Sequence, residues 1–154
     1  MNGKINPGKA AAAAALTGLG AALGWKGILI LAWVAVMALD YISGTAAACK
    51  EGKWSSAAAR EGLWRKGGMI LAVAAAGIGD LVLDLAAEHL PMGISWPGVV
   101  LPLTAAWYLV TELGSILENA VKLGARVPGW LVKLLQVSQE LVEEAGERAA
   151  DNRE

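Results

Sequence analysis

Three long apolar runs divide the chain, and each lacks the polar face of an amphipathic surface helix. They are residues 27–48 (span 1), 67–87 (span 2) and 98–117 (span 3). A helix that crosses a membrane needs about 17–25 mostly apolar residues, whereas a helix on a soluble protein repeats its apolar residues at intervals near 3.6. The pattern predicts an all-α membrane protein with about three transmembrane helices. An all-helical soluble bundle with Ala-rich buried helices is the alternative.

Composition favours the membrane protein and gives no sign of enzyme chemistry. Of the 154 residues, 56% are hydrophobic and 18% are charged, against about 25% charged in a soluble domain. The net charge of −1 does not indicate nucleic-acid binding. The single Cys49 excludes an intramolecular disulfide and fits no metal-ligand spacing, and the single His89 is expected in an interfacial loop. No Ser-His-Asp set or phosphate loop is present, so we expect no cofactor and no catalysis.

Residues 1–24 form an Ala- and Gly-rich segment whose apolar core, 10–24, is short for a span. Lys4 and Lys9 before this core also fit a secretory signal peptide. The core is built of Ala rather than Leu, however, and Trp25 leads straight into span 1. We therefore expect an interfacial helix that lies at the membrane surface or packs against the bundle, with cleavage as the alternative. The chain then divides into an N-terminal helix (1–24), a transmembrane domain (25–121) and a C-terminal helix with an acidic tail (122–154).

The charges between the spans predict a topology. The connection between spans 1 and 2, residues 49–66, has two acidic residues and five basic ones: Lys50, Lys53, Arg60, Arg65 and Lys66. The connection between spans 2 and 3, around 88–97, has no Lys or Arg. Short loops rich in Lys and Arg stay in the cytoplasm. We expect a cytoplasmic basic loop at 49–66, a cytoplasmic C-terminus and an N-terminus outside.

Pro128 precedes a final segment whose apolar residues recur at helical spacing. These residues are Leu131, Leu134, Leu135, Leu141, Val142 and Ala145. Proline suits the first turn of a helix. From Lys133 onward the chain has three basic and six acidic residues. We expect an amphipathic cytoplasmic helix with an acidic end, and two interpretations stay open: the stripe marks self-association, or the segment is a solvated tail.

Four carboxylates lie inside the spans, which contain no Lys or Arg: Asp40 in span 1, Asp80 and Asp84 in span 2, and Glu112 in span 3. Each of the nine strong hydrophobes of span 2 contributes roughly −0.3 to −0.6 kcal/mol to insertion, whereas a central Asp costs about 2.5 to 3.5 kcal/mol. Span 2 is therefore marginal alone and needs neighbours that shelter its carboxylates. Since Asp80 and Asp84 are four residues apart, they share a helix face. We expect the acids to face an interior or a water-lined surface.

The end of span 3, TELGSILENA (111–120), combines polar and apolar character. Glu112, Ser115 and Asn119 are three and four residues apart and share one stripe, with Glu118 beside it. Small residues at four-residue spacing, such as Gly44 and Ala48, allow helices to approach closely. The candidates for contacts between protomers are Asp40, Gly44, Asp80, Asp84, Glu112, Ser115, Glu118 and Asn119.

Several motifs, in order and over about residues 25–135, resemble the toxin-secretion/phage-lysis holin family. Span 1 ends in LDYISG (39–44), followed by GKWSSAAAREGLWRKGG (52–68) and by Asp80 at the position of a family aspartate. The most specific motif is ELGSILEN (112–119), followed by Gly124 and Pro128 in KLGARVPGWL. Residues 1–24 and the tail after about 136 depart from the family pattern.

The resemblance implies a non-enzymatic protein of the bacterial cytoplasmic (inner) membrane that forms homo-oligomers and opens lesions or pores. Its partners would be the lipid bilayer, further copies of itself, and a peptidoglycan-hydrolysing endolysin released for host lysis, with an antiholin as a further candidate. In toxin loci, the exported protein would be a large toxin. Two alternatives stay open. One is a small ion or proton channel, or an accessory subunit of a transport system, that uses Asp40, Asp80 and Glu112. The other is a structural membrane partner that recruits a protein through the C-terminal helix.

Overall fold

The chain folds into helices joined by short connections. The computed structural model describes residues 7–90 and 95–151, of which 7–23 are described as helix only. The helices are α1 (Pro7–Lys50), α2 (Ser56–His89), α3 (Val100–Lys122) and α4 (Gly129–Asp151). The path of α1 breaks at Gly24, whose φ of 63° and ψ of −179° are not helical. Expectations for residues 1–6, for 91–94 of the second connection and for 152–154 of the acidic tail lie outside the described residues.

Within the described residues, three helical segments are long and apolar enough to cross a membrane: Gly24–Lys50, Ser56–His89 and Val100–Lys122. The prediction of an all-α protein with about three helices able to span a membrane is therefore confirmed, whereas the interfacial and cytoplasmic positions of the two terminal helices stay predictions. With 34 residues, α2 is about 51 Å long at 1.5 Å per residue, which exceeds a hydrocarbon core about 30 Å thick. Part of α2 must therefore extend beyond the lipid tails.

The helix α2 begins earlier than the sequence pattern predicted. Ser55 has an extended backbone, and its Oγ accepts a hydrogen bond of 3.1 Å from the backbone N–H of Ala58. This arrangement is an N-cap, and the alanines that follow are strong helix formers. Most of the basic connection 49–66 is consequently helix rather than loop. Lys66 therefore lies on α2 instead of in the predicted basic loop.

The central helix is α3, which packs against α1, α2 and α4, whereas α1 and α2 hardly touch each other. The buried core is small and contains Trp33 and Met37 of α1, Val73 of α2 and Ala105 of α3. Trp33 stacks on Tyr108 of α3 with ring centroids 6.2 Å apart. Because α1 and α2 both pack on α3 without filling the space between them, a gap remains at one end of the three helices.

Large apolar side chains cover the outer faces of α1 and α2. Exposed examples on these helices are Ile28, Leu31, Val34, Leu39, Ile42, Ile70, Leu71, Ile78, Leu81, Val82 and Leu85. By contrast, no large apolar side chain between Val100 and Leu117 of α3 is exposed. The outer faces of α1 and α2 suit contact with lipid tails, while α3 is covered by other helices.

Candidate polar site between the spanning helices

A buried lysine joins the three spanning helices. Lys66 of α2 places its Nζ 2.9 Å from Asp40 Oδ2 of α1, and the same Nζ donates to Glu112 Oε2 of α3. The side chains of Lys66, Asp40 and Glu112 are 11%, 17% and 3% exposed. A charge removed from water is tolerated when it is paired and hydrogen-bonded. The three side chains therefore form one ion cluster, in which a single cation serves two carboxylates.

Asn119 extends this cluster toward the end of α3. Its Nδ2 donates to Asp40 Oδ1 and to Ser43 Oγ, both at 3.1 Å, and Ser43 in turn donates to the carbonyl of Asp40. A Cβ added at Gly44 would lie 3.4 Å from Asn119 Nδ2. The side-chain amide of Asn119 thus lies close to the backbone of α1 at Gly44.

The ion cluster lines a cavity of about 440 Å³ in the gap between α1 and α2. Its wall contains residues of α1, α2 and α3, and Trp54 and Ser55 from the connection between α1 and α2. Further polar residues of the wall are Thr45, Arg65, Thr111, Ser115, Glu118 and Lys122. The cavity can hold water beside charged groups at one end of the bundle. Among the described residues, no group of three or more His, Cys, Asp or Glu side chains could hold a metal ion.

At the other end of the bundle, Asp80 of α2 caps the N-terminus of α3. Its Oδ1 accepts hydrogen bonds from Trp96 Nε1 at 2.8 Å and from the Val100 N–H at 3.1 Å, and its Oδ2 accepts from the Leu101 N–H at 2.9 Å. The first N–H groups of a helix have no partner within the helix, and a carboxylate complements the helix dipole there. Asp80 therefore binds α3 to α2 within one protomer.

Two lysines of α1 bind backbone carbonyls at opposite ends of α3. Lys26 Nζ donates to Gly98 O, and Lys50 Nζ donates to Leu123 O, each at 2.7 Å. Lys50 thereby satisfies a carbonyl at the C-terminus of α3, where a positive charge also complements the helix dipole. The earlier lysine, Lys26, binds near the start of α3, and the later one, Lys50, binds at its end. The helices α1 and α3 therefore run in the same direction.

The predicted polar residues separate into inward and outward groups. Asp40, Asp80, Glu112 and Asn119 bond within the protomer as described, and Ser115 lines the cavity. Glu118 is exposed at the cavity wall, and Asp84 is exposed on α2. Among the described residues, none therefore provides the expected shelter for Asp84. Whether any of these residues contacts another protomer stays a prediction.

The other basic residues of the connection and His89 are exposed at the surface. Lys53 bonds Glu51 at 2.9 Å at the surface, and Arg60 and Arg65 are exposed on α2. His89 is the last residue of α2 rather than part of a loop, and its Nδ1 lies 2.9 Å from Leu85 O.

The sequence patterns missed two functions of lysine. The charge pattern places Lys66 in a basic loop, and it indicates no partner for Lys26. A signal for Lys66 was present, because spans with carboxylates and no cation need a positive charge nearby, and Lys66 directly precedes span 2. No comparable signal pointed to the bond between Lys26 and Gly98.

The part of the chain that matches known proteins includes both the spanning helices and the polar site. A model of the bacteriophage holin family matches residues 17–140. An uncharacterized protein of Halalkalibacterium halodurans is 31% identical over 110 residues, which are 71% of this chain and 77% of that protein. No solved structure matches the chain. Since the match includes all three apolar segments and the residues that join them, the chain is a multi-pass membrane protein that belongs to the bacteriophage holin family.

Proposed function

We propose that the protein assembles into homo-oligomers in the bacterial cytoplasmic membrane and opens lesions through which an endolysin reaches the cell wall. The observation that carries this proposal is the family match over residues 17–140, which includes three helices able to cross a membrane. In a toxin locus, the released protein would be a large toxin. An antiholin that delays assembly is a further candidate partner.

The proposed orientation places the ion cluster near the cytoplasm. Basic residues crowd the connection between α1 and α2 and the first turns of α2, and short basic segments remain inside. Lys66 and α4 then lie toward the cytoplasm, and the connection between α2 and α3 lies outside. Residues 1–24 would form an interfacial helix that begins outside, and the break at Gly24 allows this segment to leave the direction of the first span.

The exposed carboxylate of Asp84 supports self-assembly. Leu81, Val82 and Leu85 around it are exposed apolar residues that suit lipid. Asp84 itself lies one helical turn beyond Asp80, toward the end of the bundle, where a carboxylate still disfavours contact with lipid tails but less than at the membrane centre. A single protomer leaves Asp84 exposed. An oligomer that buries this face, or surrounds it with water, removes the unfavourable contact. Protomers in the membrane should therefore associate.

The ion cluster offers a trigger. Lys66, Asp40 and Glu112 together have a formal charge of −1, and they hold α1 and α2 onto α3 within one protomer. Moving a unit charge across the membrane is worth about 2.3 kcal/mol per 100 mV of potential, and a charge partway across feels a fraction of this. Loss of the potential would then shift the balance between closed protomers and assembled lesions.

Inducible expression in bacteria tests the proposal. The protein is expressed with and without an endolysin, while membrane potential, dye entry and culture turbidity are followed. We expect a delayed, abrupt loss of potential with dye entry in both cultures, and rapid lysis only with the endolysin. An endolysin that stays in the cytoplasm while the potential falls would contradict lesion formation.

A small channel is the second candidate, and the polar cavity is the observation that favours it. A water-accessible space of about 440 Å³ beside Asp40, Lys66 and Glu112 could begin an ion path. The same expression experiment separates the two functions. A channel gives graded, ion-selective conductance without protein release, whereas a lesion releases the endolysin.

A further inference from the structure

The helix α4 has an unusual position for a charged segment. A connection of only six residues, 123–128, joins it to α3, and α4 packs against α3 and against no other described helix. A short connection between packed helices makes them antiparallel. With 23 residues, α4 is about 34 Å long, which is enough to follow α3 across a hydrocarbon core of about 30 Å.

The burial of α3 shows how far this packing extends. On α1 and α2, exposed large apolar side chains recur along the whole span, whereas α3 exposes none between Val100 and Leu117. Contacts with α1 and α2 account for one side of α3, which includes Ala105, Tyr108 and Glu112. Leu103, Val110 and Leu117 lie on other sides and are also only partly exposed. Among the helices whose contacts are described, α4 is the remaining neighbour of α3, and its packing accounts for the partial exposure of these side chains.

Three strips run along α4. The strip turned toward α3 is half-buried and contains Leu131, Leu135, Ser138, Val142, Ala145 and Ala149. A second, exposed strip is apolar and contains Trp130, Leu134, Val137 and Leu141. The third strip is exposed and acidic, with Glu140, Glu143 and Glu147. The helix thus has one face for α3, one for lipid or protein, and one for water.

These strips are incompatible with a lone protomer in a bilayer. Charged side chains at the depth of the lipid tails are strongly disfavoured unless they face water or a partner. Before assembly, α4 therefore belongs at the cytoplasmic surface. Packing of α4 along α3 across the membrane becomes favourable when several protomers surround water. The acidic strip is then hydrated while the half-buried strip stays in contact with α3.

We propose that α4 packs along α3 across the membrane in the assembled lesion, and that the acidic strip of α4 lines the water-filled opening. This inference rests on the proposed lesion-forming function. It assigns the lining of the opening to α4 rather than to the three apolar helices, and it gives the opening an acidic wall.

A photo-crosslinking experiment tests whether α4 packs along α3. The photoreactive residue p-benzoylphenylalanine replaces Val142, which faces α3, or Glu143, the adjacent residue on the acidic strip, in the full chain. Cells are irradiated before and after the onset of lysis, and crosslinked peptides are mapped. We expect the Val142 probe to attach to α3 between Val100 and Leu117, with a severalfold higher yield after the onset, and the Glu143 probe not to do so. Equal yields before and after the onset, or no attachment to α3, would overturn the proposal.

A conductance experiment tests the lining. In a chain with the single cysteine removed (Cys49→Ser), either Glu143→Cys or Leu134→Cys is introduced; both positions are exposed on α4 but lie on different strips. Lesions formed in planar bilayers are treated with a polyethylene glycol maleimide. We expect a severalfold loss of conductance with the cysteine at 143 and unchanged conductance with that at 134. Unchanged conductance at both positions, or equal loss at both, would overturn the proposal.

Failure of the lesion-forming function can be distinguished from failure of the assignment of α4 to the lining. If expression never causes dye entry or endolysin release, the lesion-forming function is wrong, and the assignment of α4 falls with it. If lysis occurs at the usual time but neither the crosslink nor the conductance loss is found, only the assignment of α4 is wrong.

Discussion

The ammonium of Lys66 lies 2.9 Å from the carboxylate of Asp40, and this contact joins two helices that otherwise hardly touch. The same ammonium reaches Glu112 on the central helix. One cation therefore links α1, α2 and α3 at the end of the bundle that contains the cavity. Removing the one cation of this buried cluster leaves two carboxylates without compensation, which is more costly than losing a surface pair.

The first prediction is that Lys66→Gln destabilises the folded protomer by about 3–5 kcal/mol, the range for breaking a buried pair. Asp40 and Glu112 would be left close together without a cation. Thermal unfolding of the purified protein in detergent, followed by circular dichroism, measures the change. The matched control is Lys53→Gln, because Lys53 is 77% exposed and bonds only Glu51 at the surface. Equal loss of stability in both variants would contradict a structural role of the cluster.

The second prediction separates Asp80 from Asp84. Asp80→Ala removes the cap of α3 and leaves the N–H groups of Val100 and Leu101 without their acceptors, at a cost of about 2 kcal/mol. Hydrogen exchange of these two amides should accelerate by more than tenfold. Asp84→Ala, one helical turn away and exposed, should leave the exchange unchanged. Slow exchange at Val100 and Leu101 in the Asp80 variant would disprove the capping role.

The spanning helices could be predicted because hydropathy is a local property. Runs of about twenty apolar residues indicate a membrane helix without any knowledge of its neighbours. The four intramembrane carboxylates could likewise be singled out from their position alone. Their partners could not, because Lys66 is separated from Asp40 by 26 residues and from Glu112 by 46. Such pairings depend on how the helices pack, which the periodicity of one segment does not contain.

The start of α2 shows a second limit. Its charges predict a cytoplasmic basic loop up to Lys66, but the Ser55 cap and the following alanines begin the helix at Ser56. Charge patterns report the surroundings of a segment, whereas caps and propensities determine its backbone. For Asp80, the polarity of the side chain predicted a contact with a neighbouring helix. It did not predict that the partner would be the backbone of α3.

The third prediction compares two glycines with left-handed backbones, Gly98 (φ 64°) and Gly52 (φ 67°). Alanine at Gly52 meets open space, so only the backbone conformation is penalised, by about 1–2 kcal/mol. Alanine at Gly98 would place its Cβ 2.6 Å from Lys26 Nζ, and the bond from Lys26 to the Gly98 carbonyl would be lost. Thermal unfolding should therefore show a larger loss of stability for Gly98→Ala. In a Lys26→Met background the two glycine variants should become similar, and a persistent difference would show that Lys26 is not its cause.

The last prediction concerns the timing of lysis and follows from the charge of the ion cluster. Glu112→Gln makes the formal charge of the cluster zero and keeps an oxygen that can accept from Lys66, so the closed protomer should be favoured and lysis delayed. Lys66→Gln makes the formal charge −2 with two facing carboxylates, so the closed protomer should be disfavoured and the onset should come earlier. Glu118→Gln is the matched control, since Glu118 is on the same helix but exposed. The onset is read from culture turbidity at equal amounts of protein in the membrane. If the Glu112 and Lys66 variants shift the onset in the same direction, charge balance does not set the trigger, and the cluster acts only through folding stability.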